Sequence, residues 1–293
     1  MAATNILHLV FGGIEAAIFN LLRNPILHSL RNSIPAFIVA DMVYLTQFGD
    51  WTSLRDRWAI GGLLTLLFSG LARWVHGVTT AGALAGAVAC FVLYLGGGPG
   101  AFAALVTVFS LAWMTTRLGY ARKQKLGIAE RREGRSASQV LANLGVATIC
   151  AAFLIFGVFG QTKTALLAMS AALSEAAADT VSSEIGQAFG ETPRLITNWK
   201  SVPAGTNGAV SLMGTFAGIA AAGIVSSVCL LGGLLPQRWL AVSIGAAILG
   251  MVVDSFLGAC LERRNLLNND SVNFLSTLVA AIASAWFARV WLA

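Results

Sequence analysis

Continuous apolar stretches of about 20 residues constrain the fold of this chain more than any other feature. Such a stretch is long enough to cross the hydrocarbon core of a bilayer as a helix. The clear stretches run near 78–97, 99–118, 139–160, 163–187, 208–235, 237–260 and 271–292. Weaker stretches lie at 5–22, 34–48 and 58–72. The sequence therefore predicts an all-α, polytopic helical transmembrane bundle of about ten spans.

The amino-acid composition agrees with a membrane setting. Hydrophobic residues make up 57% of the chain and charged residues 11%, a balance that an ordinary soluble domain does not have. The 31 glycines are typical of helices that approach closely inside a bilayer. The apolar runs are continuous, which argues against the alternating strands of a membrane β-barrel. The N-terminus lacks a basic n-region and the first run contains Glu15, so we expect no cleavable signal peptide.

The distribution of Lys and Arg predicts the orientation of the chain in the membrane. If segment 117–138 is cytoplasmic, fourteen of the 19 Lys and Arg residues fall on that side. The polar segments 119–138, 188–207 and 261–270 then share one face. We expect a polar active-site cavity there, facing the cytoplasm or stroma, in a bacterial or archaeal cell membrane or a plastid envelope. This bias explains the net charge of +6, so nucleic acid is not an expected partner.

Carboxylates inside the predicted spans indicate a functional site, because a charge in a membrane is costly unless it faces protein, water or a cation. Asp179 and Glu184 lie in span 163–187, and Asp254 lies in span 237–260. The helical rise of about 1.5 Å per residue places Asp179 and Asp254 at matching depth, roughly 10 Å from the cytoplasmic surface. Since Mg²⁺ binds one or two carboxylates together with water and phosphates, these three side chains are candidate magnesium ligands.

Two other interpretations of these carboxylates stay open at this point. They could form ion pairs with Arg or Lys, or they could carry protons in a transporter. The residue types alone do not separate these roles from cation binding.

The segment from Lys200 to Gly208 has the features of an anion-binding loop. Gly205 and Gly208 permit close approach of the backbone, and Thr206 and Asn207 supply side-chain hydrogen bonds. An ordinary turn followed by a helix cap is the alternative.

Further polar residues near the expected cytoplasmic helix ends extend the candidate phosphate-binding set. Topology and anionic head groups also explain the basic residues between 117 and 135. No Walker A motif or kinase catalytic loop occurs, so any phosphoryl transfer must use another architecture. The further candidates are Lys123, Lys125, Arg135, Asn143, Ser183, Arg194, Lys200, Asn269 and Asn273.

Several motifs follow one another between residues 139 and 274. They are Gln139-Val140-Leu141-Ala142-Asn143, Asp179-Thr180 with Ser183-Glu184 and Gly186, Pro193-Arg194-Leu195-Ile196-Thr197, Val202-Pro203 with Gly205-Thr206-Asn207-Gly208 and Ser211, Asp254-Ser255-Phe256-Leu257-Gly258-Ala259, and Asn269 with Val272-Asn273-Phe274. Together they resemble one membrane family, which includes the chloroplast phytyl-phosphate kinase of vitamin E synthesis and transmembrane protein nineteen of animals. The resemblance covers roughly residues 58–293, and Val181, Ala209 and Glu262 depart from the usual pattern.

The resemblance implies an enzyme that phosphorylates an isoprenoid monophosphate, such as phytyl or geranylgeranyl phosphate, to the diphosphate. A more distant likeness to CTP-using polyprenol kinases and CDP-diacylglycerol synthases implies CTP as the donor. The three carboxylates would then hold Mg²⁺, Arg194 and Lys200 would stabilise developing charge, and the 205–208 loop would cradle the donor. Residues 57–293 would form the catalytic transmembrane domain, and residues 1–56 would add membrane segments of unassigned role.

Two rival functions belong to other classes. A transporter or flippase for a phosphorylated lipid would use the carboxylates as proton or cation sites, and it predicts inverted repeats that are not evident in the sequence. A cytidylyltransferase would form a CDP-lipid and release pyrophosphate instead of a nucleoside diphosphate.

Overall fold

The described part of the chain is a bundle of α-helices. The computed structural model describes residues 54–130, 133–157, 162–190 and 192–292, so the predicted spans at 5–22 and 34–48 lie outside the described residues. The helices are α1 (Leu54–Trp74), α2 (Thr80–Arg117), α3 (Tyr120–Lys125), α4 (Ala137–Phe156), α5 (Thr162–Phe189), α6 (Leu212–Leu231), α7 (Leu240–Cys260) and α8 (Asn269–Leu292). Two short 3₁₀ turns, Gln237–Trp239 and Glu262–Arg264, flank α7, and strands β1 (Arg194–Leu195) and β2 (Ala209–Val210) form a small antiparallel ladder.

Five helices in the described residues are long and apolar enough to cross a membrane. They are α2, α4, α6, α8 and the continuous segment Gln237–Arg264 that contains α7. Large apolar side chains cover the outer surface of the bundle, for example Leu66 and Phe216, which are 72% and 68% exposed. This surface requires lipid rather than water, so the chain is a helical integral membrane protein. The count of about ten spans stays a prediction.

Helix α2 is a hairpin of two antiparallel helices, which agrees with the two spans predicted at 78–97 and 99–118. Gly98 has a left-handed backbone (φ 67°, ψ −157°) and precedes Pro99, which cannot donate a helical hydrogen bond. The chain returns after this break, because Trp113 Nε1 donates to the carbonyl oxygen of Val75 at 3.2 Å. A Cβ atom at Gly100 would collide with Gly232, so the bend packs backbone against backbone.

Helix α5 is the centre of the bundle. It contacts α2, α4, α6, α7 and α8, and every residue from Leu166 to Ala178 is buried. Small residues permit this packing: a Cβ atom at Gly214 or Gly218 of α6 would collide with the backbone of α5. Glu175, the ionisable residue within this buried range, therefore faces protein instead of lipid, as the cost of a charge in hydrocarbon requires.

Helix α6 begins four residues later than the sequence predicts. Gly208 has a positive φ of 75°, and Ala209 and Val210 pair with β1, so these residues cannot be helical. Ser211 then caps the helix by accepting a hydrogen bond from the backbone nitrogen of Gly214 at 3.1 Å.

Candidate functional site

A polar cavity of about 270 Å³ lies where one end of the bundle meets three connecting segments. The polar segments 119–138, 188–207 and 261–270, which are distant in sequence, all contribute lining residues. Most residues predicted for the site line it: Arg135, Asn143, Asp179, Ser183, Glu184, Gly205, Thr206, Asn207, Gly208, Asp254, Asn269 and Asn273.

Asp179 and Asp254 both line the cavity. Helices α5 and α7 bring their carboxyl groups near enough to interact with each other. Arg135 is near enough to attract the Asp179 carboxylate. Its Nη1 also contacts Thr180 Oγ1 at 3.4 Å. Two carboxylates this close repel each other when both are ionised, so the pair favours a shared proton or a bound cation.

An amide network positions the Asp254 side chain. With its amide oriented to satisfy its neighbours, Asn273 donates to Asp254 Oδ2 and to the carbonyl oxygen of Asn269, both at 3.2 Å. The Asn273 oxygen accepts from Asn143 Nδ2 at 3.3 Å. Asn143 Nδ2 also donates to the backbone oxygen of Gln139 at 2.9 Å. Helices α4, α7 and α8 are thereby joined at the edge of the cavity, and Asp254 is held towards Asp179.

Glu184 has a different environment, although it lies on the same helix as Asp179. Its Oε2 forms an ion pair with Lys123 Nζ at 2.5 Å, and its Oε1 accepts from Thr116 Oγ1 at 3.1 Å. Lys123 is only 1% exposed, and it also donates to the carbonyl oxygens of Thr115 and Thr116. Both carboxylate oxygens of Glu184 are therefore engaged by α2 and α3.

The loop 205–208 forms another wall of the cavity. Gly205 and Gly208 have positive φ angles of 83° and 75°, which glycine adopts without strain. A Cβ atom at Gly208 would collide with Ala259 at the end of α7. Thr206 Oγ1 donates to the carbonyl oxygen of Pro203 at 2.7 Å, which fixes the turn. The loop thus brings its backbone close to the helix that carries Asp254.

Comparison with known proteins identifies the family. A family model described as integral membrane protein DUF92 matches residues 63–281, a range that includes every residue lining the polar cavity. The chain belongs to this family.

Curated relatives of this DUF92 protein come from plants, archaea and cyanobacteria. The chloroplastic protein VTE6 of Arabidopsis thaliana is 31% identical over 80% of this chain and 73% of its own length. An uncharacterized membrane protein of Methanocaldococcus jannaschii is 37% identical over 61% of this chain and 72% of its own length. One from Synechocystis is 35% identical over 60% of this chain and 69% of its own length. No solved structure matches the chain significantly.

Four predicted cationic residues of this DUF92 protein do not line the cavity. Lys123 is buried against Glu184, as described above, and Lys125 and Lys200 are exposed. Arg194 is also exposed, and its Nη1 donates to the carbonyl oxygen of Trp199 at 2.9 Å within its own loop. Their assigned roles in phosphate or charge stabilisation stay predictions.

Other residues lining the cavity were not among the candidates. Gln139 Nε2 lies 3.3 Å from Glu130 Oε2, which links α4 to the segment after α3. Thr180, Ser182 and Glu262 also line the cavity. Gln139 and Thr180 lie within the sequence motifs quoted above, so those motifs could have identified them as cavity residues. Glu130 lies in a basic loop where nothing in the local sequence distinguishes it.

Glu175 lies one helical turn before Asp179 and is completely buried. Neither carboxyl oxygen has a hydrogen-bond partner among the described residues. Ser276 lies nearby, but its hydroxyl donates to the carbonyl oxygen of Asn273 at 2.9 Å. A Cβ atom at Gly250 would collide with the Glu175 side chain, so this group is packed between α5 and α7 beneath the aspartate pair.

The donor set of the cavity fits a magnesium ion that is completed by a substrate. In the part of the chain that the structure describes, no group of three or more His, Cys, Asp or Glu side chains could hold a metal by itself. Mg²⁺ usually takes one or two protein carboxylates and fills its octahedron with water and substrate phosphates. The two carboxylates of Asp179 and Asp254, both lining the cavity, meet that requirement.

Proposed function

We propose that this protein transfers a phosphoryl group from a nucleoside triphosphate, with CTP favoured, to an isoprenoid monophosphate such as phytyl or geranylgeranyl phosphate. The observation that carries the proposal is that two neighbouring carboxylates, Asp179 and Asp254, line one polar cavity of a membrane bundle. Family membership and the motif resemblance to a phytyl-phosphate kinase support the substrate class. The cytoplasmic or stromal side of the membrane, where a nucleotide is available, is the proposed side of the cavity.

Asp179 and Asp254 are the proposed ligands of Mg²⁺. A divalent cation held by these side chains would offset their mutual repulsion. When bound, Mg²⁺ would neutralise charge on the donor phosphates. Asn273 and Asn143 orient Asp254 for this task, and Arg135 opposite Asp179 supplies a positive charge for a phosphate group.

The remaining cavity residues suit a polyphosphate. The 205–208 loop presents glycine backbone at short range, and backbone amides can donate to phosphate oxygens. Ser183 and Asn269 add side-chain hydrogen-bonding groups to the cavity wall. A residue that could act as a strong base is not needed, because the oxygen of a prenyl monophosphate is already ionised at neutral pH.

The reaction exchanges one phosphorus–oxygen bond for another. An oxygen of the lipid monophosphate attacks the terminal phosphorus of the donor, and the bond from that phosphorus to the bridging oxygen breaks. The electron pair leaves with the nucleoside diphosphate. Positioning and charge neutralisation supply most of the catalysis of such a transfer, which agrees with a cavity of fixed carboxylates, amides and one arginine.

The test is a product analysis with purified protein. Protein in detergent is incubated with Mg²⁺, geranylgeranyl or phytyl phosphate and each of CTP, UTP, ATP and GTP, and the lipid and nucleotide products are identified by mass spectrometry. The account predicts prenyl diphosphate and a nucleoside diphosphate with the wild type, and neither with Asp179→Asn.

Asp270→Asn is the matched control, because it makes the same chemical change beside the cavity without altering a lining residue. Formation of a CDP-lipid together with pyrophosphate would identify a cytidylyltransferase instead of a kinase. Absence of any product with all four donors, from protein that remains folded, would refute phosphoryl transfer and favour transport.

A further inference from the structure

A second cavity, of about 450 Å³, lies beside the polar one and is walled mainly by apolar side chains. It lies among α1, both halves of the α2 hairpin, α4 and α5. Its apolar wall includes Phe68, Leu105, Val108, Phe109, Val140 and Leu144. Phe68 and Phe109 are in edge contact, with ring centroids 5.3 Å apart, which gives the wall a fixed aromatic corner. The volume lies within the range of about 300–1,000 Å³ that is typical of small-molecule sites.

The two cavities share one boundary. Glu130, Arg135, Gln139, Asn143 and Thr180 line both of them. Arg135 is therefore at the junction, with the aspartate pair on one side and the apolar space on the other. A molecule that spans the junction must carry a polar, anionic group at one end and a hydrocarbon at the other.

We infer that the apolar cavity binds the hydrocarbon tail of the isoprenoid phosphate, while its phosphate lies at the Arg135 junction. This inference rests on the proposed function and adds a location for the tail. A tail held in this cavity also explains why a membrane enzyme keeps such a space among its helices, since a lipid that reacts at the membrane surface needs none.

The cavity has a finite depth, which implies selection by chain length. Its lining on the second half of α2 extends from Arg117 to Leu105, about 18 Å along the helix axis. Small residues, Ala83 and Gly86, line the facing half of the hairpin. A short isoprenoid such as geranylgeranyl or phytyl is comparable to this length, whereas a long polyprenyl chain greatly exceeds it. Residues at the wall would therefore set the accepted length.

Gly86 provides a direct test. A Cβ atom at Gly86 has only Val140 Cγ1 near it, at 3.9 Å, so a large side chain can enter the cavity without a backbone collision. We expect Gly86→Phe to reduce kcat/KM for geranylgeranyl phosphate by about tenfold or more, because steric exclusion in a pocket acts on this scale. The value for geranyl phosphate should stay near that of the wild type.

Gly245→Phe on α7 is the matched control, because a Cβ atom at Gly245 has no atom within 4 Å and the residue lines neither cavity. This variant should leave kcat/KM for both substrates unchanged. Ala112→Leu fills the cavity from the other half of the hairpin and repeats the test if Gly86→Phe does not fold.

A cross-linking measurement separates this inference from the proposed reaction. A prenyl phosphate with a photoreactive group at the tail end should label peptides of α1, α2, α4 or α5, and Gly86→Phe should suppress the labelling. Labelling there without turnover with any donor would support the tail site and refute the kinase. Turnover with an unchanged chain-length profile in the filled variants, or labelling confined to other helices, would refute the tail site and leave the kinase standing.

Discussion

Asp179 and Glu184 lie on the same helix, five residues apart, but their environments differ in kind. Asp179 meets a second carboxylate, Asp254, whereas Glu184 meets the ammonium group of Lys123. The aspartate pair concentrates negative charge at the cavity, whereas the ammonium group of Lys123 neutralises the charge of Glu184. Only the first arrangement gains from a divalent cation. The role of a carboxylate inside a membrane bundle is therefore indicated by the charge of its partner and not by its burial.

The largest expected effect comes from the aspartate pair. Asp254→Asn should reduce product formation on the order of 100-fold or more, because the amide keeps the shape but removes one charge from the proposed cation site. Rates measured for Asp179→Asn, Asp254→Asn and the double variant should be similar, since residues that act as a unit are not additive. Independent, multiplying losses would show that the two carboxylates do not share one task.

The second expected effect concerns stability. Glu184→Gln should lower the free energy of unfolding by about 3 kcal/mol, because it leaves the buried Lys123 ammonium group without a counter-charge. Thermal unfolding of the protein in detergent measures this loss. Adding Lys123→Met should restore most of the stability, since neither charge then remains buried. An unchanged melting temperature in Glu184→Gln would contradict a structural role for this pair.

A third variant tests whether Glu175, which lies beneath the aspartate pair, shares its role. Glu175→Gln preserves the shape of a group without hydrogen-bond partners among the described residues, so we expect activity within about threefold of the wild type and little change in melting temperature. The same product assay and melting curves measure both. A loss as large as that of Asp179→Asn would place Glu175 in the cation site itself.

The smallest expected effects belong to the exposed cations. Arg194→Ala and Lys200→Ala should change the rate by less than about threefold, because neither side chain lines the cavity and exposed charges are screened by water. Arg135→Ala, at the junction of the two cavities, is the comparison variant and should raise KM for the lipid substrate substantially. If Arg194→Ala proves worse than Arg135→Ala, the 194–200 segment must close over the substrate during turnover.

Local sequence features predicted much of this architecture. The Gly98-Pro99 pair divides two apolar runs, and the chain reverses there because these two residues interrupt helical hydrogen bonding. Helical rise and alternating topology predicted that Asp179 and Asp254 lie near each other, and both line the polar cavity. Short-range geometry of this kind is contained directly in the sequence.

Other features depend on tertiary contacts and were not predictable in this way. Lys123 is one of several cations in a basic segment, and only the packing of α3 beside α5 selects it as the partner of Glu184. The start of α6 was wrong because Ala209 and Val210 pair with a strand fifteen residues earlier. The apolar cavity lies between several helices, so no single stretch of the sequence could predict it.

The most direct test of the account is the binding of Mn²⁺, as a spectroscopic substitute for Mg²⁺, in the presence of a non-hydrolysable CTP analogue. Electron paramagnetic resonance counts the bound ion in wild type, in Asp179→Asn and in the Lys123→Met/Glu184→Gln pair. We expect Asp179→Asn to lose the bound Mn²⁺ and the Lys123→Met/Glu184→Gln double variant to retain it. Retention by Asp179→Asn together with loss in the double variant would contradict it and would assign the cation to Glu184.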